Sequence, residues 1–265
     1  MRAPLLIAAL IAFALAATAP GATGSTITPG QLTVGISLPS DGFEVGVVKG
    51  SQVLYAQGFD IDLAKALAKR LNYPAPVFVQ SRFDRLYSSG PKPWDLAIAQ
   101  ITITSRRALT ADFTRPYLRA DQGVLVSQTV SRVPKTLAAL RALRICALSK
   151  STGADAASSV IAPVKTVGLV GNVSTLMLDL QTGRCQAVVY DAPTLGVLKA
   201  RTPERYGPFI GVLRTGEKYG IALPKGSDLL PLVDAALGRL IADGTIGRLQ
   251  RKWLTTDVSK LPVLG

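Results

Sequence analysis

The sequence contains no histidine and only two cysteines, Cys146 and Cys185. Without histidine, every Ser-His, Cys-His and His-metal arrangement is excluded, and two thiols are too few for a structural zinc site. They are also too few for a disulfide-dense mini-scaffold. Acidic residues are scarce, 17 Asp and Glu against 30 Lys and Arg, which leaves a formal net charge of +13. Aromatic residues are only 6% of the chain, and no run of five like charges occurs. The basic residues are dispersed, so they read as a solvated basic surface and no nucleic-acid partner is expected. After residue 17 no apolar stretch approaches the ~20 residues that a transmembrane helix needs. What the chain does have is 48% hydrophobic residues over 265 positions. That is too apolar for a disordered chain and long enough for one large or two smaller cores.

The first 24 residues have the layout of a secretory signal peptide. A short positive start, Met1-Arg2, precedes an apolar run over 5–17 and then small residues to Gly24. Cleavage is expected after Ala19 or a few residues later, near Ala22 or Gly24. The mature protein is then periplasmic or secreted.

Beyond residue 24 the pattern alternates strand and helix. Residues 32–38 alternate as a strand, apolar residues recur at helical spacing over 61–71, and 77–79 and 94–99 read as two further strands. The pattern restarts after Pro134. Helices are predicted over 135–143, 152–161, 174–181 and 193–200, with strands at 144–148, 166–170 and 186–190 between them. Extended segments at 123–126 and 219–223 link the two sets, and two helices, 227–242 and 246–253, close the chain. Repeated βα units imply mostly parallel sheets covered by helices. Two such lobes joined by extended segments enclose a cleft, and ligands of such sheets bind at the carboxyl ends of strands.

Three strand ends carry polar groups. Gln100 to Arg107 gathers threonine hydroxyls and guanidinium forks, which suit a carboxylate; Thr104 as a helix cap beside two solvated arginines is the simpler alternative. Ser149-Lys150-Ser151-Thr152-Gly153 opens a helix after a strand and reads either as an anion site or as capping alone. It lacks the Gly-Lys-Ser/Thr ending of a phosphate loop. Asp191 ends a strand before a Pro-started helix. It is either an N-cap or the partner of an ammonium group. An anion site in one lobe and a carboxylate in the other fit an amino-acid zwitterion.

The segment Gly58-Phe59-Asp60-Ile61-Asp62-Leu63-Ala64 resembles the signature of the bacterial extracellular solute-binding proteins of family 3, the periplasmic polar amino-acid-binding components of ABC transporters. Asp95 to Ala99, Thr102-Ile103-Thr104, Arg107, Asp112-Phe113, Pro116-Tyr117, Tyr219-Gly220-Ile221-Ala222, Ala242-Asp243-Gly244-Thr245 and Lys252-Trp253 continue the resemblance in order along the mature chain. It implies a type II periplasmic-binding-protein fold, α/β and two-lobed, with the ligand between the lobes. The lobes are expected at 25–118 plus 219–265 and at 122–214, with hinges near 118–122 and 214–219.

The resemblance also implies residue roles. Arg107 would clamp the ligand α-carboxylate, helped by Thr102, Thr152 and Gly153, and Asp191 would take the α-ammonium. Phe83 would flank the ligand, while Ser37 and Lys150 would face its side chain. Gln100 departs from the family, which usually carries a small residue there, and is expected to shrink the pocket. The ligand side chain is expected to be neutral polar or acidic, because none of Ser37, Ser40, Phe83, Ser149, Lys150 and Tyr190 is acidic. Export together with neighbouring strands in the resembling fold implies a Cys146–Cys185 disulfide. The protein is expected to be a monomer without cofactor or metal and not an enzyme, delivering its amino acid to a membrane permease. An enzyme on the same fold, similar to a cyclohexadienyl dehydratase, and a receptor-coupled sensor are the alternatives.

Overall fold

The computed structural model describes residues 25–254 and 260–264, so the expected signal segment lies outside the described residues. The chain begins with strand β1 (Thr33–Ile36), a hairpin of β2 (Val45–Lys49) and β3 (Gln52–Gln57), and helix α1 (Phe59–Arg70). α1 forms where the sequence puts Asp60 and Asp62 in the first turn and Lys69 and Arg70 in the last, complementing the helix dipole. Its buried face carries Phe59, Ile61, Leu63, Ala64, Leu67 and Ala68. β4 (Val77–Gln80), β5 (Leu96–Ala97), α2 (Ser105–Ala108) and β6 (Ala111–Phe113) follow. The chain then crosses through β7 (Leu118–Arg119) into β8 (Gln122–Val126).

The second βα set runs α3 (Leu137–Leu140), β9 (Ile145–Leu148), α4 (Thr152–Ala156), β10 (Gly168–Val170), α5 (Val173–Gln181), β11 (Ala187–Asp191), α6 (Ala192–Arg201) and β12 (Phe209–Leu213). α4 runs on into a π-helical turn over Ala157–Ile161. The return passes through β13 (Lys218–Tyr219) and β14 (Ala222–Pro224) to helices α7 (Leu230–Ala242) and α8 (Thr245–Trp253). None of the described helices is long and apolar enough to cross a membrane.

Two sheets result. The first has strand order β2-β3-β4-β1-β5-β14-β6, and the second β10-β9-β11-β8-β12. β1 pairs in parallel with β4 and β5, and β9 in parallel with β10 and β11, as βα units require. The two crossing segments pair with each other: β7 lies antiparallel to β13, with Leu118 opposite Tyr219. A disulfide joins Cys146 in β9 to Cys185, just before β11, with Cα atoms 5.8 Å apart.

The expected elements are present, with differences that have local causes. The extended segment at 219–223 is interrupted at Gly220, where a Cβ would lie 2.7 Å from the Ile103 side chain. The helix expected over 135–143 is a single turn starting from the Thr136 cap. The β2–β3 hairpin was not anticipated; most of its residues are exposed, so it carries little core signal.

The C-terminal tail departs from the expected division into lobes. Val263 bridges Val212 of β12, and Leu264 is buried with Val124, Val126 and Leu213 under the second sheet. Val263 and Leu264 therefore pack on the second lobe, not the first. The apolar sequence Leu261 to Leu264 covers an edge that β12 otherwise exposes. Gly211 permits this approach, since a Cβ there would sit 2.5 Å from the Pro262 carbonyl oxygen.

Candidate functional site

Strand ends from both sheets face one cavity of about 300 Å³. The first sheet contributes Ser37 after β1, and Gln100 and Thr102 after β5, with Arg107 following in α2. The second contributes Lys150 after β9, Thr152 at the start of α4, and Asp191 at the end of β11. Phe83 reaches it from a single 3-10 turn after β4. All the sequence-predicted ligand-binding residues line the cavity except Gly153. Gly153 is buried behind Thr152, where a Cβ would meet the Gln122 Oε1 at 2.8 Å and the Val189 carbonyl oxygen at 3.0 Å. Its absent side chain lets α4 settle against β11.

Arg107 is buried at the cavity wall. Its guanidinium carbon lies 5.2 Å from the Phe83 ring centroid and 4.4 Å from that of Tyr87. One guanidinium nitrogen donates to the Thr102 carbonyl at 2.9 Å. These contacts hold a planar two-pronged donor in place without consuming its charge. Thr104 does cap α2, accepting from the Arg107 N–H at 3.1 Å, so the cap and the cavity guanidinium coexist. Arg106 is exposed. At the second strand end Ser151 is the cap, accepting from the Ala154 N–H.

Asp191 occupies the N-cap position of α6 but makes no capping hydrogen bond. Its carboxylate accepts instead from the Tyr219 hydroxyl at 2.5 Å and the Gln122 amide at 2.6 Å. Burial pushes its pKa up to about 6, against the Tyr219 hydrogen bond and with the charge of Glu217 adding to the rise. Tyr219 is fully buried in an aromatic cluster with Phe43 and Tyr117. Asp191 of the second sheet is therefore positioned from the core of the first.

Two expected residues behave differently from expectation. Lys150 lines the cavity mouth, but its ammonium is 2.8 Å from Asp84 and its side chain is mostly exposed. It thus spans the cleft as an ion pair and is not free for a ligand carboxylate. Gln100 has a positive φ of 54°. Its side-chain oxygen accepts from Ser40 and Thr194 hydroxyls, each at 2.8 Å. The side chain that the resembling family lacks thus ties the first sheet to α6.

Three residues at the site were not anticipated. Glu44 lines the cavity at 1% exposure. Its Oε1 accepts from the Ser37 N–H at 3.3 Å, while Oε2 has no hydrogen-bond partner. Burial, then the charge of Asp60, holds its carboxyl well above the usual carboxylate range. This removes the premise that no acid faces the ligand side chain. Glu217, just before β13, accepts through Oε2 from the hydroxyls of Thr102 at 3.0 Å and Thr152 at 2.5 Å, and from the Gln122 amide at 3.1 Å. Gln122 is fully buried and joins Glu217, Thr152 and Asp191. In sequence, Glu44 has one signal: it is a lone acid between Phe43 and Val45. Glu217 sits in a Gly-Glu-Lys stretch that reads as a solvated turn. Among the described residues no group of three or more Cys, Asp or Glu is arranged to hold a metal ion.

Two α/β lobes around a buried polar cavity, with a guanidinium and a carboxylate on opposing sheets, define a two-lobed periplasmic-type binding protein. The chain belongs to the bacterial extracellular solute-binding proteins, family 3, whose profile matches residues 32–256. It is 30% identical over 241 residues to the histidine-binding periplasmic protein of Salmonella typhimurium, covering 87% of this chain and 90% of that one. Among solved structures it resembles an ancestral arginine-binding protein bound to glutamine, with a TM-score of 0.74, 32% identity, and coverage of 86% and 100%. It also resembles an ancestral amino acid-binding protein described as a precursor of cyclohexadienyl dehydratase, with a TM-score of 0.72, 28% identity, and coverage of 85% and 95%.

Proposed function

We propose that this protein, exported and freed of residues 1–24, captures a polar amino acid in the periplasm and delivers it to the permease of an ABC importer. Arg107 clamps the α-carboxylate with help from the Thr102 and Thr152 hydroxyls, and Asp191 receives the α-ammonium. The observation that carries this reading is the opposed pair itself: Arg107 and Asp191 are both buried, line one cavity and come from different sheets. Such a pair is complementary to a zwitterion and draws the lobes together about segments near 118–122 and 214–219. A cavity of about 300 Å³ is at the small end of ligand pockets and suits a single amino acid.

The side chain expected from sequence was neutral polar or acidic. Glu44 at the cavity wall disfavours an acidic one, since burial already holds its own carboxyl well above the usual range and a second acid beside it would raise both further, while its partnerless Oε2 favours a side chain with a hydrogen-bonding group. Binding without turnover, by a monomer, completes the reading. The named relatives are binding proteins, although one is described as preceding a dehydratase.

A thermal-shift panel of the standard amino acids tests the reading. A ligand at about 100 times its Kd should add ~2.7 kcal/mol of stability. A panel without any shift would remove the amino-acid assignment. Conversion of a bound compound, followed by mass spectrometry, would favour the enzyme.

A further inference from the structure

We infer that the second sheet presents a basic face, at the end remote from the cavity, that docks on an anionic phospholipid bilayer surface. The inference goes beyond the amino-acid reading above and does not depend on which ligand the cavity takes.

Cations that are scattered along the sequence converge here through strand topology. β9, β10 and β11 run parallel, and β8, antiparallel to β11, brings its carboxyl end beside their amino ends. β12 starts at the same end, since Phe209 lies opposite Leu125. Each of the five strands is flanked there by an exposed cation: Lys165 before β10, Arg144 before β9, Arg184 before β11, Arg132 after β8 and Arg205 before β12. The cavity residues Lys150 and Asp191 lie at the opposite ends of β9 and β11. A protein docked by this face therefore keeps its cavity turned away from the surface.

Local contacts hold the face together. The Arg144 guanidinium donates to the Gly183 and Arg184 carbonyls at 2.8 and 3.1 Å. Arg141 donates to the Ala162 carbonyl at 3.1 Å, and its own carbonyl accepts from the N–H of Val164, next to Lys165, at 2.9 Å. Thr129, on the way from β8 to Arg132, packs against Gly183, and Gly207, just after Arg205, packs on the Val126 carbonyl. Backbone bonds of this kind fix a guanidinium without neutralising its charge.

Acids do not offset these charges. Residues 122–214 carry 11 Lys and Arg against four Asp and Glu. Asp191 lies in the cavity, Asp155 is in the first turn of α4 at the cavity end, and Asp179 is buried and paired with Arg184. Of the four, only Glu204 is exposed at the basic end. Among the described residues, Arg184 alone of these cations has an ion-pair partner. Uncompensated charge of this density attracts phosphate headgroups, at roughly fivefold in affinity per contacting Lys or Arg. A lipid surface fits better than a nucleic acid. Val164, beside Lys165, is 82% exposed, an apolar side chain that the headgroup region accepts. Tyr206 and Phe209, the aromatic residues at this end, are packed against the core, so neither ring is free to stack on a base.

Flotation of the mature protein with vesicles of phosphatidylcholine alone, or with about one third phosphatidylglycerol, tests this in low salt and in about 0.5 M salt. The triple variant Arg132→Gln, Lys165→Gln and Arg205→Gln removes three exposed charges of the face. A second triple variant, Lys49→Gln, Lys69→Gln and Arg239→Gln, removes the same charge from β2, α1 and α7 of the first lobe. The wild type should bind the anionic vesicles in low salt, leave them in high salt and ignore phosphatidylcholine. The first triple variant should weaken this binding by about tenfold or more, and the second by less than about threefold. The inference is overturned if the wild type does not bind the anionic vesicles, binds both kinds alike, or is weakened equally by the two variants, which would reduce the effect to net charge. Tighter binding to a single-stranded oligonucleotide than to the vesicles, lost in the first variant, would assign the face to nucleic acid and overturn it as well. Should the first variant not fold, its three single substitutions replace it. Weakening by about twofold or more for each supports the inference, and unchanged binding overturns it.

Discussion

Asp191 shows how a single residue acquires two linked properties from its surroundings. Burial raises its pKa to about 6 from an ordinary value of 3.8, so the folded protein keeps a proton that the unfolded chain releases. For an acid shifted upward, the associated stability is complete below about pH 4 and is lost as pH rises through about 6. A shift of about two units corresponds to on the order of 2–3 kcal/mol. Melting curves from pH 4 to 8 should therefore show the ligand-free wild type losing stability relative to Asp191→Asn over that window; parallel curves would contradict the shift. An ammonium ligand needs the ionised form, so affinity should weaken below about pH 6, by up to about tenfold per unit. Arg107→Ala and Asp191→Ala should each abolish binding while leaving the far-ultraviolet circular dichroism unchanged, since breaking a desolvated charge pair typically costs about 2–5 kcal/mol. Residues of this kind were legible because they sit at strand ends in a βα pattern. Glu44 was not, because the Ser37 N–H that orients it and the Asp60 charge that acts on it come from residues not adjacent to it in the chain.

At the scale of elements, β13 and the turn before it do more than connect the sheets. Glu217 places a carboxylate between Thr102 of the first sheet and Thr152 of the second, on hydroxyls proposed to assist Arg107 with a ligand carboxylate. The protein's own carboxylate and the ligand's then compete for the same donors. Glu217→Gln should tighten ligand binding by roughly three- to tenfold, about 1 kcal/mol, because the like charge is removed while an acceptor stays. Weaker binding in calorimetry would mean that Glu217 assists the ligand instead. The disulfide works on a different element pair. It closes a loop over a sequence separation of 39 between β9 and the start of β11, which in the chain-entropy view is worth about 4 kcal/mol. Reduction should lower the melting temperature yet change ligand affinity by less than about threefold, since neither cysteine lines the cavity. Two titratable thiols in the unfolded, unreduced protein would exclude the bond.

The whole molecule is two sheets joined by paired crossing strands, with a C-terminal tail whose end packs on the second lobe. Leu264 is buried among Val124, Val126 and Leu213, so Leu264→Ala should destabilise the protein by about 2–4 kcal/mol in urea unfolding. A change below about 0.5 kcal/mol would mean that the tail is not held there in solution. The sequence alone determined the α/β class, the two lobes, the helices and most strands, and the strand ends that meet at the cavity. Those features follow from local periodicity, capping residues and turn chemistry, which short windows of sequence carry. Only the tertiary structure decided that Leu264 packs beneath β12, that Lys150 is paired with Asp84 across the cleft, and that Asp191 bonds to Tyr219 and not to its own helix. It also decided that Glu44 is an unpartnered acid at the cavity wall. Each of these depends on burial and on neighbours brought together from elsewhere in the chain, so the charge, protonation and direction of a side chain are set by residues that no local pattern names.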